Sequence, residues 1–214
     1  RLFGEAHHHR AIVPLLGLTA RGGLELGAGA RVRHVRHGEL AGAEVTERLP
    51  AHFGREHDRC LVLELDALTH EPVPPDAPAA VGFAIAALRL AVPGAIAAGP
   101  TIFEYLDYHV YGLRSPPEVS TGLPTGESTR LDSFRGRIAG EVYCRLVAGV
   151  DDPDLLESLD RWELALFHTG PLRAEGLREA LVQLIGDEDG GWAAAIRAAA
   201  LVGETPDERA ELLG

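Results

Sequence analysis

Arg161 and His168, the ends of the stretch RWELALFH, are the residue pair in this chain best suited to acid–base chemistry on a phosphodiester. A histidine can take a proton from an RNA 2′-hydroxyl or return one to a leaving oxygen, and an arginine can hold the charge that builds on phosphorus. Read as helix, the spacing is two turns, which puts both side chains on one face about 10 Å apart along the axis. Substrate or a second subunit would have to stand between them. The same residues also read as the solvated side of an amphipathic helix. Leu155, Leu159, Trp162 and Leu166 mark its apolar stripe, Arg161 and His168 lie roughly opposite, and Glu157 sits four residues before Arg161 in the favourable ion-pair order.

Other reactive residue types are present without diagnostic spacing. AHHHR, Ala6–Arg10, raises metal binding, but adjacent strand residues alternate faces, so His7, His8 and His9 cannot all ligate one ion. No HExxH, zinc-spaced Cys/His set or GxSxG occurs, and LTARGGLELGAGA lacks the Lys-Ser/Thr of a phosphate loop, so it reads as a turn. Cys144, in GEVYCRL, reads as a buried structural cysteine; Cys60 lies far from it in sequence, and neither belongs to a CxxC. His34, His37, Asp107 and His109 are scattered polar residues. Nothing here asks for a cofactor or a metal.

The 214 residues carry 32 acidic side chains against 20 basic ones, a formal charge of -12. That mean field repels phosphate, which disfavours nonspecific binding to DNA, RNA or anionic membrane; Arg31, Arg33 and Arg36 form the best local basic cluster. Lysine, asparagine and methionine are absent and Gln183 is the sole glutamine, the signature of a very GC-rich bacterial coding sequence. With two distant cysteines and no signal-peptide pattern, a reducing cytoplasm is the expected location. Ala79–Gly99 is apolar enough to raise a membrane span, with Arg89 its only charge, but its alanine and glycine content and Pro93 favour a buried helix ending near that proline.

These candidates need elements to hold them. ARVRHVRH and CLVLELD read as strands, AIVPLLGL as a short apolar run, and GELAGAEVTERL as a short helix with Leu40, Val45 and Leu49 inward. HEPVPPDAP, His70–Pro78, breaks both helix and sheet and marks a boundary. TIFEYLDYHVYGL fits strand or helix, and RSPPEVSTGLPTGEST reads as a long loop, a candidate lid. Helices then follow: one through LDSFRGRIAGEVYCRLVAGV, one capped by Asp152-Pro153 and running through RWELALFH to Gly170-Pro171, one over Leu172–Ile185, one in WAAAIRAAALV, and one opened by the capping box at Thr205. The fold class is therefore α+β: a small mixed N-terminal subdomain, residues 1–78, followed by a predominantly helical bundle, residues 79–214. Leu212 and Leu213 are apolar at the start of a helix, and the expectation is a natural chain that continues.

RWELALFHTGPLRAEGLREALVQLIG, followed by WAAAIRAAALVGETPDERAELLG, resembles the Apea-like branch of the HEPN helical domains over Leu155–Gly214, and IVPLLGLTARGGLELGAGARVRHVRHGEL is loosely similar to the mixed region that often precedes them. The resemblance implies a helical bundle that forms a homodimer and a metal-independent endoribonuclease of bacterial defence or stress response, acting on RNA or a nucleotide. It also implies an Arg/His pair on a late helix, the one beginning at Pro206 in this chain; Arg161 and His168 satisfy the spacing one or two helices earlier. The alternative is a non-catalytic dimerisation or interaction module. A metal-dependent hydrolase using the amino-terminal histidines ranks third.

Overall fold

A computed structural model describes residues 6–36, 39–40, 61–70, 76–92, 94–124, 126–149, 151–185 and 191–213. The chain divides into two compact units, Arg1–Ala148 and Gly149–Gly214. It is α+β, with an antiparallel sheet region followed by helices. The division falls after Ala148 rather than at Pro78, because helix α1 (Ala77–Ala91) and the strands after it build onto the N-terminal sheet.

In the first unit, β1 (His7–Leu16), β3 (Leu24–Gly27), β4 (Ala30–His34), β5 (Leu61–Thr69), β7 (Ile102–Leu106) and β8 (His109–Arg114) run in the order β3-β4-β5-β1-β7-β8, every neighbour antiparallel, while β6 (Ala97–Ala98) pairs with the end of β1. Ala11, Ile12 and Val13 are consecutive and all buried, so β1 is covered on both faces. Pro14 survives in this central strand because its carbonyl accepts from Gly99 N–H and the missing N–H faces the same side, in the gap between β6 and β7. One face gathers Ile12, Val35, Leu40, Val62 and Phe103.

TIFEYLDYHVYGL resolves as the β7–β8 hairpin. Its two-residue turn puts Asp107 at φ 48° and Tyr108 at φ 71°, the left-handed geometry that matches strand twist. A tyrosine there is strained. The turn is held by His8, whose N–H donates to Asp107 Oδ1 at 2.9 Å, whose carbonyl accepts from Asp107 N–H, and whose ring stacks on Tyr108 at 5.1 Å.

The alanine-rich apolar segment forms α1, capped by Asp76 and buried through Ala84–Arg89. No helix among the described residues is long and apolar enough to cross a membrane. Arg89 is the reason the following stretch is not a structureless loop. Its buried guanidinium donates to the carbonyls of Ile96, Val119 and Gly122, pinning the short helix α2 (Glu118–Thr121). Beyond it β9 (Thr129–Leu131) pairs in parallel with β2 (Leu18–Ala20). The lid reading is corrected accordingly.

Helix α3 (Ser133–Ala148) packs on α1 and on β3. It reaches β3 closely because Gly136 and Gly140 carry no Cβ; one on Gly140 would stand 2.9 Å from the Leu26 carbonyl oxygen. Cys144, one turn further on, is exposed rather than buried, its thiol 3.7 Å from that same carbonyl. Cys144 lies at four-residue spacing from Gly136 and Gly140 and lines, with them and with Leu24–Gly27, a pocket open to solvent.

Among the described residues the second unit has four helices, α4 (Pro153–Ala165), α5 (Gly170–Ile185), α6 (Gly191–Val202) and α7 (Pro206–Leu213). Asp152 caps α4 by accepting from the N–H groups of Asp154 and Leu155, with Pro153 in the first turn. The capping box at α7 forms as read: Glu208 N–H donates to Thr205 Oγ1 and Glu208 Oε2 accepts from Thr205 N–H. Of the helix expected within residues 38–49, only Glu39 and Leu40 are described, Leu40 being buried; Val45 and Leu49, like Cys60 and His37, lie outside the described residues.

Candidate functional site

Helices α4 and α5 form an antiparallel hairpin whose register is set by small and polar residues. Ser158 Oγ donates to the Ala180 carbonyl at 2.8 Å, Gln183 Nε2 donates to Asp154 Oδ1 at 3.1 Å, and a Cβ on Gly176 would meet that of Ala165 at 2.9 Å. Helices this close leave a groove of about 560 Å³ along one side of the seam. Leu164 and Leu172 give it an apolar end, and Glu157, Asp160, Glu175 and Glu179 supply carboxylates along its length.

Arg161 and His168 both line this groove. They are not on one helical face, because α4 stops at Ala165 and His168 sits in the connection to α5, exposed, its N–H on the Ala165 carbonyl at 3.2 Å. The stop follows from the closing turns at Leu166 and Phe167, whose N–H groups bond three residues back, ahead of Gly170 at φ 58°. The expected apolar stripe is half-buried: Leu155, Leu159, Trp162 and Leu166 all keep partial exposure.

Arg161 is clasped by carboxylates from both helices, Glu157 Oε1 at 2.7 Å and Glu179 Oε2 at 3.4 Å. The hydrogen bond that Arg161 donates to Glu157 raises the arginine's already high pKa further. A guanidinium neutralised from two sides has little left to offer a phosphate, and the groove around it is otherwise acidic. The chemistry this arrangement supports is recognition of a cation carried on an apolar stem.

The other sequence candidates separate rather than converge. The three histidines alternate as strand geometry requires, each beside a different carboxylate: His7 Nδ1 2.9 Å from Asp107, His8 Nε2 2.6 Å from Asp66, and buried His9 3.8 Å from Glu104. Among the described residues no group of three His, Cys, Asp or Glu side chains could hold a metal ion. Arg31 and Arg33 do not form a free basic patch. Arg31 pairs with Glu64 at 2.8 Å, and Arg33 bonds Glu64 and, at 2.6 Å, Glu39. Burial alone would raise the Glu64 and Glu39 carboxyls, but the arginine hydrogen bonds win and both are lowered. Arg36 stays exposed, its N–H on Glu39.

Sequence reading missed the groove's acidic wall on α5. Glu175 and Glu179 stand four apart, on one helical face, so the signal was present. It pointed nowhere until the α4–α5 register was known. No family model, no curated protein and no solved structure matches this chain.

Proposed function

We propose that this chain is a non-catalytic binding protein whose helical unit docks a cationic polypeptide. The separation of charge supports this reading. Gly149–Gly214 holds 15 acidic residues and five arginines, a formal -10 of the chain's -12, while the first unit is left at -2. Such a unit repels a polyphosphate and attracts a basic partner. Pairing two copies of it would oppose -10 with -10, so this unit is poorly suited to be a homodimer interface. In a reducing cytoplasm the exposed Cys144 thiol would remain free.

One observation favours a second reading, that of an RNA-directed, HEPN-like ribonuclease of bacterial defence: Arg161 and His168 line the same groove. The two readings separate in one experiment. Labelled polylysine and a labelled single-stranded RNA are titrated against the full chain at low ionic strength, with chelator present. Binding of polylysine that weakens with salt, and neither binding nor cleavage of the RNA, is the expected result. Metal-independent RNA cleavage that disappears in Arg161→Ala or His168→Ala would establish the second reading instead.

A further inference from the structure

The geometry points to the α4–α5 groove as the docking site for a basic amphipathic helix of another protein, an inference that rests on the binding-protein reading above. Three observations carry it. The groove is apolar at one end, where Leu164 is 57% and Leu172 69% exposed, yet belongs to a unit whose buried apolar residues, among those described, are all alanines. Its seam is already spaced for helix packing, since Gly176 and Ala165 bring the two helices together and leave a furrow that a third helix fills by ridges into grooves. And the structure contains its own example of the recognition: the Arg161 guanidinium lies between Glu157 on one helix and Glu179 on the other.

Among the described residues the furrow is lined by α4, α5 and the connection between them, while α6 packs on α5 and α7 on α6. Charge selects the occupant. Glu157, Asp160, Glu175 and Glu179 outnumber Arg161 and Arg178, the latter paired with Glu175 at 2.5 Å, by four to two, so a second copy of this acidic unit is disfavoured and a lysine- or arginine-bearing segment is favoured. A seated helix would place one or two leucine-type side chains against Leu164 and Leu172, and cationic side chains a turn further on against Asp160 and the Glu157–Glu179 pair. This is the helix-in-groove mode, in which apolar anchors supply affinity and rim charges supply orientation.

The test uses the full chain and a fluorescein-labelled synthetic helix of leucine, lysine and alanine, about 15 residues and so about 22 Å long. Its leucines recur at i, i+4 and i+7; a scrambled peptide of the same composition is the control. Anisotropy should show the patterned peptide binding more tightly than the scrambled one. Leu164→Ser with Leu172→Ser, and separately Asp160→Lys with Glu175→Lys, should each weaken binding about tenfold. Glu204→Lys with Glu211→Lys makes the same charge change near α7, away from the groove, and should cost no more than about twofold. Circular dichroism confirms that each variant keeps its helices. Equal losses from the two lysine pairs, or equal affinity for the scrambled peptide, would overturn the groove while leaving a diffuse basic-partner reading intact. Failure of polylysine and both peptides to bind would remove that reading as well.

Discussion

The two units handle charge and apolar surface in opposite ways. The sheet unit hides its ions: Glu64 and Glu104 are almost fully buried, each against arginine, in a core of Ile12, Leu26, Leu63, Ile85, Leu88 and Ile102. The helical unit displays its ions, buried Glu163 excepted. Its buried side chains among the described residues are Ser158, Glu163, Ala165, Ala180, Ala194 and Ala199, while Trp192, Leu172, Leu201 and Val202 are mostly exposed. Burial of large aliphatic side chains is the dominant stabilising term, and exposed apolar surface on an otherwise polar module marks a contact region. The difference is one of construction: the first unit buries large aliphatic side chains and ion pairs, and the second leaves both kinds of group at its surface, where the proposed docking role needs them.

Chance placement of aromatics lets each unit be watched alone. Trp162 and Trp192 both belong to the helical unit, and all four tyrosines belong to the sheet unit. Tryptophan fluorescence therefore reports one unit and tyrosine near-ultraviolet dichroism the other. The largest expected effect is Glu64→Ala. It removes the buried carboxylate between Arg31 and Arg33, leaving Arg33 its Glu39 and Arg31 only the longer Asp66 contact, and breaking a buried ion cluster costs at most about 3–5 kcal/mol. The tyrosine transition in urea should move down by up to that amount, with the tryptophan transition much less affected. The matching change in the other unit, Glu179→Ala, releases one exposed contact of Arg161 and should leave the tryptophan transition where it is. A Glu64→Ala chain as stable as the parent would break the contrast at its base.

Acidification should sharpen the comparison next. His9 is buried and its pKa lies below the ordinary 6.5, chiefly through desolvation, with Glu104 pulling the other way. A histidine held neutral contributes its full stability above pH 6.5. Below it the unfolded chain takes up a proton that the folded chain refuses, so stability falls with pH. Glu64 and Glu39, lowered by their arginines, add a further loss as pH drops below their ordinary 4.5. The tyrosine midpoint should therefore start to fall near pH 6.5 and steepen below 4.5, and His9→Leu should delete the first part. The helical unit should respond to salt instead, gaining stability as its -10 is screened. A flat tyrosine midpoint between about pH 7 and 5 would show that His9 is not held neutral.

Local signals were legible in the sequence, and long-range pairings were not. Asp152-Pro153, the Thr205 capping box, the strand at Leu61–Thr69 and the buried alanine-rich helix all depend on neighbours a few residues away, and all appear. What the sequence could not carry was partnership. Arg31 and Arg33 read as a basic patch because Glu64 is 33 and 31 residues distant. Residues 114–129 read as a loop because Arg89, which holds the Val119 and Gly122 carbonyls, lies in the preceding helix. RWELALFH read as two clean helical turns because the visible stop signal is Gly170-Pro171, whereas the chain leaves α4 earlier, through turns at Leu166 and Phe167. The groove was half visible: Glu157, Arg161 and His168 were singled out, and Glu175, Glu179 and Leu172 needed the α5 register.

The smallest effect tests whether the helical unit's stability is as local as its thin core implies. Asp152 holds the first turn of α4 through two backbone N–H groups, and replacing such a cap by alanine costs about 1 kcal/mol. In a unit where α4 packs on α5, α5 on α6 and α6 on α7, that loss should not spread evenly. Native-state hydrogen exchange on Asp152→Ala should show faster exchange in α4 and α5, which share Ser158–Ala180, Gln183–Asp154 and the Arg161 clasp, with α7 unchanged. Uniform acceleration through α7 would mean one cooperative bundle after all. The exposed leucines of the groove would then belong to a unit stable enough to present them rigidly, and a bound helix would meet a preformed surface rather than help to order it.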